Sequence, residues 1–130
     1  YSVAAENTKR LVLCAGKVYY HLLEEREKRN IDNIALVRLE QLYPFPNVEL
    51  DQILASMCDL EQAVWCQEEP MNQGAWYSSQ HHMRNALKRH NSDITLDYVG
   101  RKSSAAPASG YMSVHLEEQA QFIDQALTIN

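Results

Sequence analysis

The sequence predicts a three-layer α/β/α sandwich on a mostly parallel sheet, and three observations carry that prediction. Apolar runs of strand length recur at residues 10–15, 34–39, 63–66 and 94–99. Each is close to continuous rather than alternating, as expected of a strand buried on both faces. Segments of helical periodicity follow every run, and strands that alternate with helices pair in parallel through right-handed crossovers.

The elements follow in order. Residues 1–9 are polar, carry two alanines and show no clear period, so they read as a lead-in, with residues 10–130 forming one domain. Gly16 ends the first strand. From Lys17 onward Val18, Tyr19, Leu22 and Leu23 share one helical face, while Glu24 with Lys28 and Glu25 with Arg29 form i,i+4 pairs on the other, giving a helix that ends near Asn30. The second strand, residues 34–39, leads into a loop whose Pro44 and Pro46 predict an extended path. Asn47 is placed to cap a helix with the core stripe Leu50, Ile53, Leu54 and Met57. The third strand, Ala63-Val64-Trp65-Cys66, runs into the polar stretch Glu68 to Gly74, and its helix is expected to bury Trp76, Gln80, Met83, Ala86 and Leu87. After the turn residues Asn91, Ser92 and Asp93 comes the β-branched fourth strand, then Gly100 and a loop of small residues. A last helix, with Ser113 as cap, is expected to bury Leu116, Ala120, Ile123 and Leu127 and to hold Glu117 and Glu118 near its positive end.

The totals narrow the function classes. A chain of 130 residues fits one domain and buries roughly two-thirds of its unfolded surface, so it needs no staples. Twelve basic and 17 acidic side chains leave a formal charge of -5, which argues against nucleic acid or an anionic membrane as main partner. No run approaches the roughly 20 apolar residues of a membrane span. The three cysteines, Cys14, Cys58 and Cys66, are widely spaced and read as buried, inert thiols of a reducing compartment. Because the chain opens at Tyr1 without a methionine, it reads as excised from a longer polypeptide.

If the winding reverses beside the first strand, the loops after strands one and three face each other across a crevice, where ligands of open α/β sheets bind. Those loops hold Gly16 and Lys17 on one side and Glu68 to Gly74 on the other. A helix starting at Gly16-Lys17 offers backbone N–H groups and a lysine charge to an anion such as phosphate; the plainer alternative is a tight turn. Neither G-x-G-x-x-G nor G-x-x-x-x-G-K-[ST] occurs. Glu68 and Glu69 are adjacent, so they point to opposite sides of an extended segment and form no catalytic pair. One faces the crevice, or either pairs with Arg84, Arg38 or a neighbouring domain. Asn72, Gln73 and Gly74 present amides to a ligand or merely shape the turn. His81 and His82 lie about 100° apart on a helix, so they should diverge rather than share a metal. Arg101 and Lys102 form a local basic cluster, either a solvated loop or a second phosphate contact opposite Lys17.

Four blocks carry a resemblance. Gly16-Lys17-Val18-Tyr19-Tyr20, Val37-Arg38-Leu39-Glu40-Gln41-Leu42-Tyr43-Pro44-Phe45-Pro46, Trp65-Cys66-Gln67-Glu68-Glu69-Pro70-Met71-Asn72-Gln73-Gly74-Ala75-Trp76 and Ser104-Ala105-Ala106-Pro107-Ala108-Ser109-Gly110 resemble, in that order, the C-terminal domain of the thiamine diphosphate-dependent component of 2-oxoglutarate dehydrogenase. The resemblance implies a transketolase C-terminal-domain-like fold with a fifth, antiparallel edge strand, supplied by residues 1–9 or by sequence upstream. It implies no cofactor in this domain, with thiamine diphosphate and magnesium held by preceding domains across a homodimer. Those domains would decarboxylate 2-oxoglutarate and succinylate a lipoyl group of the dihydrolipoyl succinyltransferase component, in a bacterial cytoplasm or a mitochondrial matrix. To this domain it assigns no catalytic residue and no metal, but assembly and, in some relatives, binding of acetyl-CoA or a nucleotide as allosteric effector. By resemblance the effector residues are Lys17, Gln73, Arg101 and Lys102, with Gly16, Glu68, Asn72 and Gly74 lining the crevice. The alternative is a free-standing flavodoxin-like nucleotide-binding regulatory or interaction module.

Overall fold

In the computed structural model, which describes residues 7–101 and 112–129 and of 112–115 the backbone alone, the apolar runs form one parallel sheet. The elements are β1 (Arg10–Cys14), α1 (Val18–Lys28), β2 (Ile34–Arg38), α2 (Asn47–Ala55), β3 (Gln62–Pro70), α3 (Trp76–His90), β4 (Leu96–Arg101) and α4 (Met112–Ala126). The strand order is β2-β1-β3-β4. The chain steps from β1 outward to β2 and crosses back over β1 to β3, so the winding reverses between β1 and β3. In this register Leu11 lies beside Ala35 and Ala63, and Cys14 beside Arg38 and Cys66. The predicted edge strand at residues 1–9 falls largely outside the described residues.

Alternation along each strand divides the core in two. Leu11, Leu13, Ala35, Val37, Ala63 and Trp65 face α2 and α3, where they meet Leu50, Leu54, Met57, Met83 and Leu87. Val12, Cys14, Ile34, Leu36, Val64 and Cys66 face the other way, against Val18, Leu22, Phe122, Ile123 and Leu127. Burial of each such large side chain stabilises the fold by about 1.5–3 kcal/mol, so two filled faces hold the helices to the sheet. Asn30, just beyond the end of α1, takes φ 54, the left-handed conformation that closes a helix and that asparagine tolerates. No helix among the described residues is long and apolar enough to cross a membrane.

Several local expectations need correction. Asn47 is the first residue of α2, whose cap position belongs to Pro46 with no side-chain hydrogen bond. The Tyr43–Pro44 peptide is cis. On α3 the buried polar residue is Ser79, while Gln80 is half-exposed. Ser113 lies within α4, and that helix buries Phe122, Ile123 and Ala126, with Leu127 just beyond its end, while Leu116 and Ala120 stay exposed. Cys14 and Cys66 are buried thiols, but Cys58 is exposed.

Arg10 is the charge inside the structure that the apolar-run reading passed over. Only 6 % exposed, it donates from Nε to Gln62 Oε1 (2.9 Å) and from Nη1 to the carbonyls of Gln125 and Ala126 (3.2 Å each). The last carbonyls of α4 lack intrahelical partners, so this guanidinium both caps the helix and ties it to the amino edge of the sheet. Burial lowers its pKa and the charge of Asp97 raises it again.

Candidate functional site

At the reversal point the carboxyl ends of β1 and β3 stand side by side. Gly16, at φ 78, turns the chain out of β1, and Lys17 takes the cap position of α1. The N–H groups of Tyr19 and Tyr20 donate to the carbonyls of Gly16 (3.4 Å) and Lys17 (3.1 Å), so part of the first turn is spent internally rather than offered to an anion. Lys17 Nζ lies 4.0 Å from Glu68 Oε1, with the lysine side chain 76 % exposed and the glutamate 15 % exposed. Glu68 is therefore the glutamate that faces the crevice, while Glu69 is exposed.

That orientation follows from an irregularity in β3. Pairing with β4 runs from Gln67↔Gly100 directly to Pro70↔Arg101, which leaves Glu68 and Glu69 with no residues opposite. Such a bulge re-aims side chains at a strand end. Gly100, at φ 156, is needed there, because a Cβ would collide with the Gln67 carbonyl and crowd the Tyr98 hydroxyl. The same hydroxyl donates to the Arg101 carbonyl at 2.6 Å, and Met71 N–H donates to that carbonyl at 3.2 Å.

Gln67 holds the loop that follows. Buried at 2 % exposure, its Oε1 accepts from Trp65 Nε1 (3.0 Å) and from the Trp76 N–H (3.2 Å), and its Nε2 donates to the carbonyls of Glu69 (3.1 Å) and Pro70 (2.9 Å). One side chain thus joins the end of β3 to the start of α3. Gly74 exists to let it in, since a Cβ at that position would lie 2.5 Å from Gln67 Cδ and Oε1. Gly74, expected to line the crevice, instead makes room for Gln67, a side chain that apolar patterning does not single out. The available signal was an amide on the inward register of Trp65, within an otherwise apolar strand.

The predicted site residues separate on this framework. Lys17 and Glu68 meet across the crevice. Asn72 and Gln73 are exposed on the loop, with the Gln73 N–H donating to the Pro70 carbonyl at 2.9 Å. Arg101 belongs to β4 rather than to the loop beyond it, and its side chain, 8 % exposed, turns to Glu118 of α4 with Nε 3.4 Å from Oε2. Lys102 lies outside the described residues. Arg38, named earlier only as an ion-pair partner for a glutamate, instead donates from Nη1 to the Tyr20 hydroxyl (2.9 Å), with its guanidinium 5.4 Å from that ring. His81 and His82 do not diverge: their ring centroids are 4.0 Å apart, and His82 stacks on Phe45 at 4.8 Å. Among the described residues no three His, Cys, Asp or Glu side chains converge as metal ligands.

The titratable groups beneath this edge are protected, not activated. Burial pushes the Cys14 thiol up to about 12, against a small opposing pull from Arg38. The Cys66 thiol is raised by burial and by Cys14 beside it. Tyr98 is pushed up to about 12, first by burial and then by nearby Cys66 and Glu69. None of these is a nucleophile or base near neutral pH. What remains chemically available is a solvent-facing cation at a helix start, suited to holding an anion.

Comparison with known proteins places the arrangement. The family model described as 2-oxoglutarate dehydrogenase C-terminal matches residues 2–127. The 2-oxoglutarate dehydrogenase E1 component of Azotobacter vinelandii is 52% identical over 128 residues, which is 98% of this chain and 14% of that protein. That of Haemophilus influenzae is 46% identical over 123 residues, or 95% of this chain and 13% of its own length. The chain therefore spans about one-seventh of these relatives. Among solved structures, a split-gene transketolase, described as an inactive beta4 tetramer, superposes with a TM-score of 0.62 at 15% identity, over 97% of this chain and 41% of that one. At that identity the likeness concerns the fold: a transketolase C-terminal-like sandwich.

Proposed function

The chain belongs to the 2-oxoglutarate dehydrogenase C-terminal family, and on that premise we propose that it serves as the non-catalytic C-terminal domain of an E1 subunit that decarboxylates 2-oxoglutarate and succinylates a lipoyl group. The observation that carries the proposal is the match over residues 2–127 to a region that is a small part of each relative. Thiamine diphosphate, its metal and the chemistry they supply belong, in this reading, to the preceding domains of a homodimeric subunit that delivers succinyl groups to a dihydrolipoyl succinyltransferase.

The domain's own contributions are assembly and an anion contact at the carboxyl edge, with acetyl-CoA or a nucleotide as the effector. Lys17 is the residue best placed for it, with Gly16, Asn72, Gln73 and Gly74 around the crevice and Glu68 as its internal counter-ion. Arg101 is a weaker candidate because it is engaged with Glu118, and Lys102 is proposed as the second cation of the contact. The test is turnover. The 130-residue chain supplied with 2-oxoglutarate, thiamine diphosphate and magnesium should release no carbon dioxide, whereas the full-length subunit should do so. Turnover by the short chain would contradict a non-catalytic role.

A further inference from the structure

Charge is distributed unevenly along the chain. Residues 71–92, which contain α3, hold Arg84, Lys88, Arg89 and three of the five histidines but no Asp or Glu. The rest of the chain keeps nine basic against 17 acidic side chains, a formal charge of -8 in a molecule whose total is -5. One basic helix therefore stands on an acidic body. Arg89 is spent on Asp51 of α2 at 3.0 Å, and among the described residues neither Arg84 nor Lys88, both exposed, forms an ion pair. Those two cations border a groove. Between α3 and the segment entering β4 lies a cavity of about 280 Å³, with His81, Arg84 and Lys88 on one wall, Thr95 on the other, and Ile94 and Leu96 beneath. It opens at the amino edge of the sheet, away from Lys17.

Arg84 does not converge on Lys88. Its guanidinium stands 5.4 Å over the Trp76 ring and its Nη2 donates to Gln80 Oε1 at 3.4 Å, both toward the start of the helix. At about 1.5 Å of rise per residue the two positions are roughly 6 Å apart along the axis, too far for one phosphate to meet both. Alternate side chains of an extended peptide recur on one face at about 6.6 Å, which matches that spacing. We infer that this groove docks an acidic peptide segment of another protein, whose alternate carboxylates meet Arg84 and Lys88 while the chain between them covers Ile94 and Leu96. Charge complementarity selects that occupant. A nucleic acid is anionic over its whole length and would run onto the acidic remainder of the surface, whereas a short segment meets the basic helix alone. A second copy docking one of its acidic faces here would join unlike surfaces, and such contacts repeat head to tail instead of closing. The inference is independent of the effector contact proposed at the opposite edge.

Fluorescence anisotropy tests this, with a labelled octapeptide that alternates glutamate with leucine and serine titrated by the full-length subunit. Lys88→Glu, at an exposed position whose loss should leave the fold intact, should weaken binding about tenfold or more. Arg84→Gln should weaken it about threefold or more, Lys17→Ala should leave it unchanged, and binding should fall as salt rises. No binding by the intact subunit, or equal affinity in Lys88→Glu, would overturn the inference. Displacement of the peptide by an equal concentration of inorganic phosphate would assign the groove to a small anion and overturn it as well. Self-association of the subunit that Lys88→Glu abolishes would assign the face to a second copy, with the same consequence.

Discussion

Arg10 and Lys17, at opposite edges of the sheet, have their charges handled in opposite ways. At the amino edge Arg10 is buried and spends its donors on Gln62 and on the last carbonyls of α4. At the carboxyl edge Lys17 points into solvent, held by a 4.0 Å contact to Glu68, amid a bulge, two glycines at positive φ and exposed aromatic rings. A charge that is fully hydrogen-bonded inside serves architecture; one left in water at a helix start is free to recognise something. The contrast separates a buried charge that holds the fold from the exposed one at which recognition is proposed, and it can be broken by substitution.

The largest effect is expected at the amino edge. Arg10→Ala strands the Gln125 and Ala126 carbonyls and should cost about 2–4 kcal/mol, read as a lower denaturation midpoint at unchanged slope. A loss below about 0.5 kcal/mol would place Arg10 with ordinary surface residues. Next comes Gln67→Leu, which orphans Trp65 Nε1 and the Trp76 N–H and should cost about 2 kcal/mol, with Trp fluorescence reporting the changed environment. Gly74→Ala, which drives a methyl into that amide, should cost about 1–3 kcal/mol. If Gly74→Ala proved neutral, the packed amide would not be what fixes the loop.

The first two of these residues show where the sequence stopped being informative. Continuous apolar runs announced the strands, but a run that is apolar at every position does not say which residues share a face, and the sorting of Trp65 and Val64 to opposite faces came only with the packed helices. The bulge at Glu68 and Glu69 left no such trace, since it depends on how far β4 runs beside β3. Gln67 and Arg10 looked like polar ends of apolar runs because their partners lie far along the chain, at Trp76 and Ala126. On α4 two stripes compete, and packing chose Phe122 and Ala126 over Leu116 and Ala120. Topology brought the Gly16-Lys17 and Glu68 to Gly74 loops face to face, but that Glu68 meets Lys17 needed the bulge in β3, just as the diversion of Arg101 to Glu118 needed the position of α4.

Groups just beneath the carboxyl edge give a smaller, pH-dependent effect. Cys14 is ordinarily at 9.0 and is held at about 12 in the fold, and Tyr98 moves from 10.0 to about 12. Between those values the unfolded chain loses protons that the folded chain keeps, so the stability these groups contribute is intact below pH 9 and falls as pH rises toward 12. Urea midpoints measured across that range should decline, and Cys14→Ala should flatten the decline. A steepened or unchanged slope would mean that the thiol is not shielded. A thiol reagent near neutral pH should label Cys58 alone in the native protein.

The smallest effect on stability, and the most telling on function, belongs to Lys17. Its side chain is 76 % exposed, so Lys17→Ala should leave the midpoint within about 0.5 kcal/mol. The direct measurement is calorimetric titration of acetyl-CoA into the full-length subunit with and without that substitution. Affinity should be about tenfold weaker in Lys17→Ala, the order expected for loss of one charge-assisted contact, with basal turnover unchanged. Unaltered affinity, or a matching fall in basal turnover, would contradict an effector contact at the carboxyl edge.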